Sequence, residues 1–262
     1  MLDRYDSCRE AMKMEISNKW FDGFVRALYI ARKDARVYYF KAPNFTYGLL
    51  MPASLFLAFS LAGQMNVALV VSGLPALAIM FGTMSIEAVA IVLEKQTGTF
   101  ERLLTAPVSF FSLLLGKAIS GFLFGLTIGA LTFIPIALIT GTHVANPVLV
   151  LIAVAYSSMV FSALGVLVSA FANWVPEAQM LSNLLRFPMT FLAGTFIPFE
   201  TMPPQLLIVA RLLPLTYCVE AFRIAVTDST AIVTYVIDIF VLALFSFILL
   251  MMASKILQRK LG

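Results

Sequence analysis

The sequence predicts an all-α membrane protein with six transmembrane helices, an N-terminal amphipathic interfacial helix, a short cytoplasmic helix and an outer re-entrant helical segment. Two observations predict this fold class. Hydrophobic residues make up 61% of the 262-residue chain and charged residues 12%, whereas soluble domains average about 45–50% and about 25%. Six apolar stretches also approach the ~20 residues that a membrane helix needs. A soluble fold could not bury so much apolar surface, but a lipid bilayer accepts it.

The charges of the loops between the six predicted spans set the orientation of the chain. The loops at 63–66 and 140–147 contain no lysine or arginine, whereas nine of the 18 basic residues precede residue 42. The positive-inside rule therefore predicts a multi-pass protein of the plasma membrane with both termini in the cytoplasm. The spans are expected at 46–63, 67–93, 110–140, 147–172, 179–198 and 231–254.

The chain is expected to divide into a cytoplasmic N-terminal region at 1–42 and a transmembrane domain at 43–262. The first region lacks the continuous apolar core of a signal peptide. Its basic excess indicates contact with anionic membrane lipid, and the small net charge of +4 gives no indication of a nucleic-acid partner.

Residues 16–39 have the pattern of a helix lying on the membrane surface. At 100° per residue, one face is mostly apolar and the other carries most of the charges. Asp34 breaks the pattern, because it falls on the apolar face. The apolar face consists of Ile16, Trp20, Phe24, Ala27, Leu28, Ala31, Ala35 and Tyr38, and the charged face of Lys19, Asp22, Arg26, Lys33 and Arg36.

The segment 199–230 is too long and too apolar for a simple turn. Three prolines, Pro198, Pro203 and Pro204, precede a stretch at Gln205–Leu213 that could form a short helix stopped by Pro214. We expect a re-entrant or interfacial element on the outer side of the membrane. A membrane-facing loop without a function is the alternative.

The stretch at 87–117 contains a short helix between two turns. A long apolar helix ends near Lys95, and Gln96–Thr99 is a turn and helix-start signal with Thr99 as the candidate cap. The helix at Phe100–Leu104 then ends before Pro107. Such a helix suits a groove on a partner protein, although an ordinary amphipathic loop would have the same composition. Its charged face consists of Glu101 and Arg102, and its apolar face of Phe100, Leu103 and Leu104.

Ionisable residues within the predicted spans are the candidate functional groups in the membrane. Glu87 and Arg186 should face a bundle interior or an aqueous path, because charges there are costly. Asp238 should either do the same or lie at the interface just below the headgroups. Lys117 lies close enough to the inner end of its helix to extend to the headgroups. Glu87 and Arg186 should lie at similar depth, so we expect them to pair within one chain or across a dimer. In the alternative, Arg186 extends to the inner headgroups and Glu87 lines a cavity.

Three glycines in the third span, Gly121, Gly125 and Gly129, place bare backbone on one helix face and should permit close helix packing. The motifs of soluble enzymes are absent. His143 alone cannot build a zinc site, and neither H-E-x-x-H, G-x-S-x-G nor a P-loop occurs. We therefore expect no catalytic residues, no metal and no nucleotide bound by this chain.

Two stretches of this sequence resemble the ABC-2-type permeases, the membrane subunits of one class of ATP-binding-cassette exporters. The first is E-K-Q-T-G-T-F-E-R-L-L-T-A-P-V-S at 94–109, with G-K at 116–117. The second is L-A-G-T-F-I-P-F-E-T-M-P-P at 192–204, followed by L-L-P-L-T-Y-C-V-E-A-F-R at 212–223. With the six-helix plan and the basic N-terminal helix, the resemblance covers nearly the whole chain.

The resemblance implies a mechanism and partners. Two permease chains, in a homodimer or a heterodimer, would form the substrate pathway above two separate ATPase subunits that bind ATP and Mg. The loop 94–109 would hold the coupling helix, and the outer segment would cap the pathway; the family's drug, lipid and glycan substrates are not distinguished here. An ion-coupled secondary transporter using Glu87, Arg186 and Asp238, and an intramembrane enzyme, are the alternatives. The implied ATPase interface is Gly98, Thr99, Phe100, Glu101, Arg102, Leu103, Leu104 and Pro107, and the implied outer gate is Gly194, Pro198, Pro203, Pro204 and Pro214.

Overall fold

The computed structural model describes residues 25–61, 67–105, 109–142, 144–196, 202–227 and 231–261, and all regular structure in these ranges is helical. Two π-helical segments interrupt the α-helices: Ala35–Tyr39 continues the first helix, and Met80–Met84 joins the third to the fourth. The helices are α1 (25–34), α2 (Ala42–Leu61), α3 (Val67–Ile79), α4 (Ser85–Gln96), α5 (Thr99–Leu104), α6 (Phe110–Thr140), α7 (Pro147–Phe171), α8 (Val175–Leu192), α9 (Pro204–Ala210), α10 (Pro214–Thr227) and α11 (Ile232–Leu261).

Four helices in the described part of the chain are long and apolar enough to cross a membrane. They are Leu69–Gln96, Phe110–Thr140, Pro147–Phe171 and Ile232–Lys260, which match the second, third, fourth and sixth predicted spans. A fifth candidate is the pair α9 and α10, which is bent by 94°.

The predicted count of six spans is not confirmed. The apolar part of α2, at Asn44–Ala58, is shorter than the four long helices. The helix α8 has 18 residues and includes polar and charged side chains such as Glu177, Asn183 and Arg186, which lower its hydropathy. The first predicted span therefore differs from the four long helices in its length, and the fifth differs from them in its composition.

The helix α7 lies at the centre of the bundle. It packs against α6 and α11 along its length and also contacts α4 and α10. The helix α10 is inserted among α3, α7 and α11, and ten of its 14 residues are buried. The segment that was expected on the outer surface therefore contributes to the core.

Part of the apolar face of α1 packs on other helices of the bundle, and its position on the membrane surface stays a prediction. A Cβ at Gly116 of α6 would lie only 2.7 Å from the carbonyl oxygen of Ala27, so the two helices approach closely. Leu28, on the same predicted apolar face, is 44% exposed. The π-helical segment shifts the register of the last turn, and for this reason Tyr39 is buried and Tyr38 is only half-buried. Residues 16–24 lie outside the described part of the chain.

In the segment 202–227, one proline has a different role from the one predicted. The short helix is Pro204–Ala210, and Pro214 begins α10 instead of only stopping the helix before it. Proline is favoured in the first turn of a helix, where its missing N–H would have no partner. The hydroxyl of Thr216 donates a hydrogen bond to the carbonyl of Ala210, at 2.6 Å, and holds the bend between α9 and α10.

Candidate functional site

A buried ionic cluster joins three helices at the end of the bundle that the loop charges predict to be cytoplasmic. Lys117 lies two turns inside α6, and its ammonium group lies 2.7 Å from the Asp34 carboxylate of α1. It also donates a hydrogen bond to Glu94 of α4. All three side chains are at most 1% exposed. Lys117 was expected to reach the headgroups; it is instead enclosed by two carboxylates.

Lys33 completes the cluster at its half-exposed edge. Its ammonium group lies 2.8 Å from Glu94 and 2.9 Å from Oδ1 of Asp34, the latter without the alignment of a hydrogen bond. Burial acts to lower the pKa of Lys33, but the hydrogen bond to Glu94 and the charge of Asp34 outweigh it, so the pKa is raised. Two cations thus balance two anions, which offsets part of the penalty of burying them.

The cluster lies next to the short helix of the predicted coupling loop. Glu94 is in the last turn of α4, and a two-residue turn leads to α5. Phe100 of α5 is fully buried in an apolar cluster with Ile30 of α1, Ile91 of α4 and Leu113 of α6. A movement of α5 would therefore disturb an apolar cluster to which α1, α4 and α6 all contribute.

The surface that α5 leaves open is polar. Glu101 and Arg102 are exposed, and Leu103 is half-buried. Phe100 belongs to the core of this chain, so it is not available to a partner as the predicted docking face required. Gly98, with φ of +69°, occupies the N-cap position that was predicted for Thr99. The side chain of Leu104 and all of Pro107 lie outside the described residues.

The end of α4 is also fixed to the end of α7. The Lys95 ammonium group donates a hydrogen bond to the carbonyl of Ser169, and Gln96 donates one to the carbonyl of Asn173 at 3.3 Å. Lys260 of α11 donates another to the carbonyl of Phe171, also at 3.3 Å. Cationic side chains suit these positions, because the last carbonyls of a helix lack partners within the helix.

Glu87 is fully buried in the first turn of α4, and it does not pair with Arg186. Its carboxylate accepts a hydrogen bond from the Tyr39 hydroxyl, and Oε1 has no hydrogen-bond partner among the described residues. A Cβ at Gly121 would overlap both Glu87 and Ser162. The predicted pair within one chain is therefore wrong, because the π-helical end of α1 places Tyr39 beside the carboxylate.

Arg186 of α8 is fully buried against the π-helical segment Met80–Met84. Its guanidinium group donates hydrogen bonds to the carbonyl of Phe81 at 3.3 Å and to the side chain of Asn183 at 2.6 Å. It also lies 4.7 Å from the centroid of the Phe81 ring, a cation–π contact. Arg186 therefore joins α8 to an irregular helical segment of a kind that is frequent at functional sites.

The remaining candidates lie along the helix contacts of the bundle. Asp238 of α11 is 1% exposed, and its Oδ2 has no hydrogen-bond partner among the described residues. A Cβ at Gly125 would lie 2.7 Å from the side chains of both Ser158 and Thr83, and one at Gly129 would lie 2.7 Å from Val154. The glycines therefore lie where α6 approaches its neighbours most closely.

The candidate outer-gate residues are spread over two helices and the turn before them. Gly194, with φ of +77°, follows the end of α8. Pro203 is the N-cap of α9, Pro204 is its first residue, and Pro214 is the first residue of α10. Pro198 lies outside the described residues.

Sequence reasoning missed Asp34, Glu94 and Tyr39 as members of the site. Asp34 did give a signal, because it was the one charge on the apolar face of its predicted helix. Its partner Lys117 is 83 residues away in the chain, and helix periodicity contains no information about contacts at that range.

Comparison with known proteins gives the family of this chain. The model of the family described as ABC-2 type transporter matches residues 31–227. Two curated relatives, each named Inner membrane transport permease YhhJ, come from Escherichia coli (strain K12) and Shigella flexneri. Each is 26% identical over 133 residues, which cover 50% of this chain and 36% of the relative. The matched segment thus spans little more than a third of the length of these relatives.

Proposed function

The chain belongs to the ABC-2 type transporter family, whose members are membrane transport components, and we propose that it is the permease subunit of an ATP-driven exporter. In this proposal two copies of the chain, as a homodimer, form the substrate pathway. Separate ATPase subunits bind ATP and Mg and hydrolyse the nucleotide. The proposal includes six membrane crossings, with α2 and α8 as the first and fifth, and both termini on the cytoplasmic side of the plasma membrane.

The buried ionic cluster is the observation that carries this proposal. Lys117, Asp34 and Glu94 fix α1, α4 and α6 to one another just before α5. Phe100 inserts from α5 into the same region. A force applied to α5 by an ATPase subunit would therefore act on three helices as one unit, which is what a permease needs from its coupling segment.

The exposed side of α5 supports the proposed contact with the ATPase. Glu101 and Arg102 are both exposed and carry opposite charges on adjacent positions. Complementary charges on a partner would fix the orientation of this small contact, although charges at a rim contribute less to affinity than buried apolar anchors do.

Charge reversal on α5 tests the proposal. The variant Glu101→Lys with Arg102→Glu should insert and fold normally, because neither side chain is buried. Purified with its ATPase, it should hydrolyse ATP at least about tenfold more slowly than the wild type, a change equivalent to ~1.4 kcal/mol. The matched control is Lys255→Glu, which reverses an exposed charge at the predicted cytoplasmic end of α11. Equal ATP hydrolysis by the wild type and the double variant would rule out coupling through these positions.

A further inference from the structure

A cavity of about 450 Å³ lies between the junction of α1 with α2, the helix α4 and the start of α8. This volume is within the range of small-molecule sites, about 300–1,000 Å³. The cavity is separate from the ionic cluster and from the exposed face of α5. Its apolar wall comes mainly from one side of α4, where Ile86, Val89 and Leu93 follow at helical spacing.

The polar groups of the cavity come from different elements. Lys41 is exposed at the junction of α1 and α2, and Tyr38 and Asn44 line the cavity on either side of it. Ser85 is 1% exposed, and its hydroxyl oxygen has no hydrogen-bond partner among the described residues. The side-chain oxygen of Gln179 in α8 is also buried and has no partner in that part of the chain. Buried polar atoms are normally satisfied, so these two atoms indicate an occupant that supplies the missing bonds.

The position of the cavity limits what this occupant can be. Leu93 is three residues before Gln96, the end of the span Leu69–Gln96. Gln179 is in the second turn of α8. The cavity is therefore at the depth of the headgroups in the predicted cytoplasmic leaflet, with its apolar wall extending toward the hydrocarbon core. A water-soluble anion would leave that wall exposed to water. In a zwitterionic lipid the phosphate is already balanced by the lipid's own ammonium group, so an acidic lipid fits the charge of Lys41 better.

We propose that this cavity binds the head group of an acidic phospholipid from the cytoplasmic leaflet. The ammonium group of Lys41 contacts the phosphate, while Ser85 donates to an ester or phosphate oxygen and Gln179 accepts from a head-group hydroxyl. The first methylene groups of the acyl chains lie against Ile86, Val89 and Leu93. A single lysine near an anionic headgroup contributes enough to favour it about fivefold over a zwitterionic one.

Native mass spectrometry of the purified, delipidated chain tests this site without an ATPase or a substrate, so its outcome is independent of the proposed export function. The probes are dioleoyl-phosphatidylglycerol and dioleoyl-phosphatidylcholine at equal concentrations. The wild type should retain phosphatidylglycerol about fivefold more strongly. Lys41→Gln should remove this preference, and Val89→Trp should reduce bound phosphatidylglycerol by filling the cavity while the charge of Lys41 stays in place.

The matched control is Arg32→Gln, which removes an exposed cation of α1 that does not line the cavity. It should keep the wild-type preference. If Val89→Trp cannot be recovered from membranes, Gln179→Leu replaces it, and this variant should also bind less phosphatidylglycerol. Any of three results would overturn the proposal. The wild type could show no preference for phosphatidylglycerol, Lys41→Gln and Arg32→Gln could lose the preference equally, or the cavity-filled variant could bind phosphatidylglycerol as fully as the wild type.

Discussion

Lys117 is the residue on which the cluster depends. It is 1% exposed and is the cation that lies between Asp34 and Glu94, both of which are also buried. Removing one member of a buried ion pair leaves an uncompensated charge, which is far more damaging than losing an exposed pair.

Lys117→Met should therefore destabilise the chain by ~3–5 kcal/mol, because Asp34 and Glu94 would then face each other with only Lys33 nearby. Thermal unfolding in detergent measures the change. Adding Glu94→Gln should recover part of the loss, since it removes one of the uncompensated anions. The control is Arg211→Met, which breaks a pair between a 44% exposed arginine and the half-buried Glu220. Because this pair is open to solvent, its loss should change stability by only about 0–1 kcal/mol. Equal losses in the two single variants would contradict the role of the cluster.

Gly121 lies at a position of α6 where the neighbouring helices leave no room for a side chain. Gly121→Ala would place a methyl group against Glu87 and Ser162, and we expect a loss of ~1–3 kcal/mol from overpacking. Gly82→Ala is the matched control, because its nearest neighbours would lie 3.5 Å away, at ordinary van der Waals distance. The melting temperatures of the two purified variants give the comparison; a Gly121→Ala protein as stable as the control would show that α4 and α7 can shift away from α6.

The helices show what the sequence could and could not predict. Hydropathy located the four long spans to within three residues, apart from the end of the last helix, which continues to Lys260. It could do so because a long apolar helix is a local property of the chain. The prediction of six spans also included α2 and α8, where the hydropathy signal is weaker. Pro214 was read as a stop although it begins α10, and the π-helical segments left no recognisable pattern. Contacts between distant residues, such as Tyr39 with Glu87, were beyond any local signal.

The position of α9 on the predicted outer side can be tested by labelling. In a Cys8→Ser background, Ile208→Cys should react with an impermeant maleimide in intact cells, since Ile208 is 69% exposed. The native Cys218 is fully buried and should not react. Thr97→Cys, in the turn before α5, should react only after permeabilisation. Labelling of position 97 from outside would reverse the predicted orientation of the whole chain.

At the scale of the whole molecule, membership of the ABC-2 type transporter family and the arrangement of α1, α4, α5 and α6 support the same account. The family gives a membrane transport component. The cluster around Lys117 and the packing of Phe100 connect a small exposed helix to the bundle. An ion-coupled transporter would need its buried carboxylates, such as Glu87 and Asp238, and would have no use for a partner at α5.

Site-specific photo-crosslinking from α5 tests this account most directly. A photoreactive amino acid in place of Arg102, which is exposed, should form an adduct with a P-loop ATPase in native membranes, identified by mass spectrometry of the purified adduct. The same group in place of Leu206, which is 42% exposed on α9, should form no ATPase adduct. An inserted chain that gives no ATPase adduct at position 102, or gives it equally at both positions, would contradict the proposal that α5 receives the action of a separate ATPase.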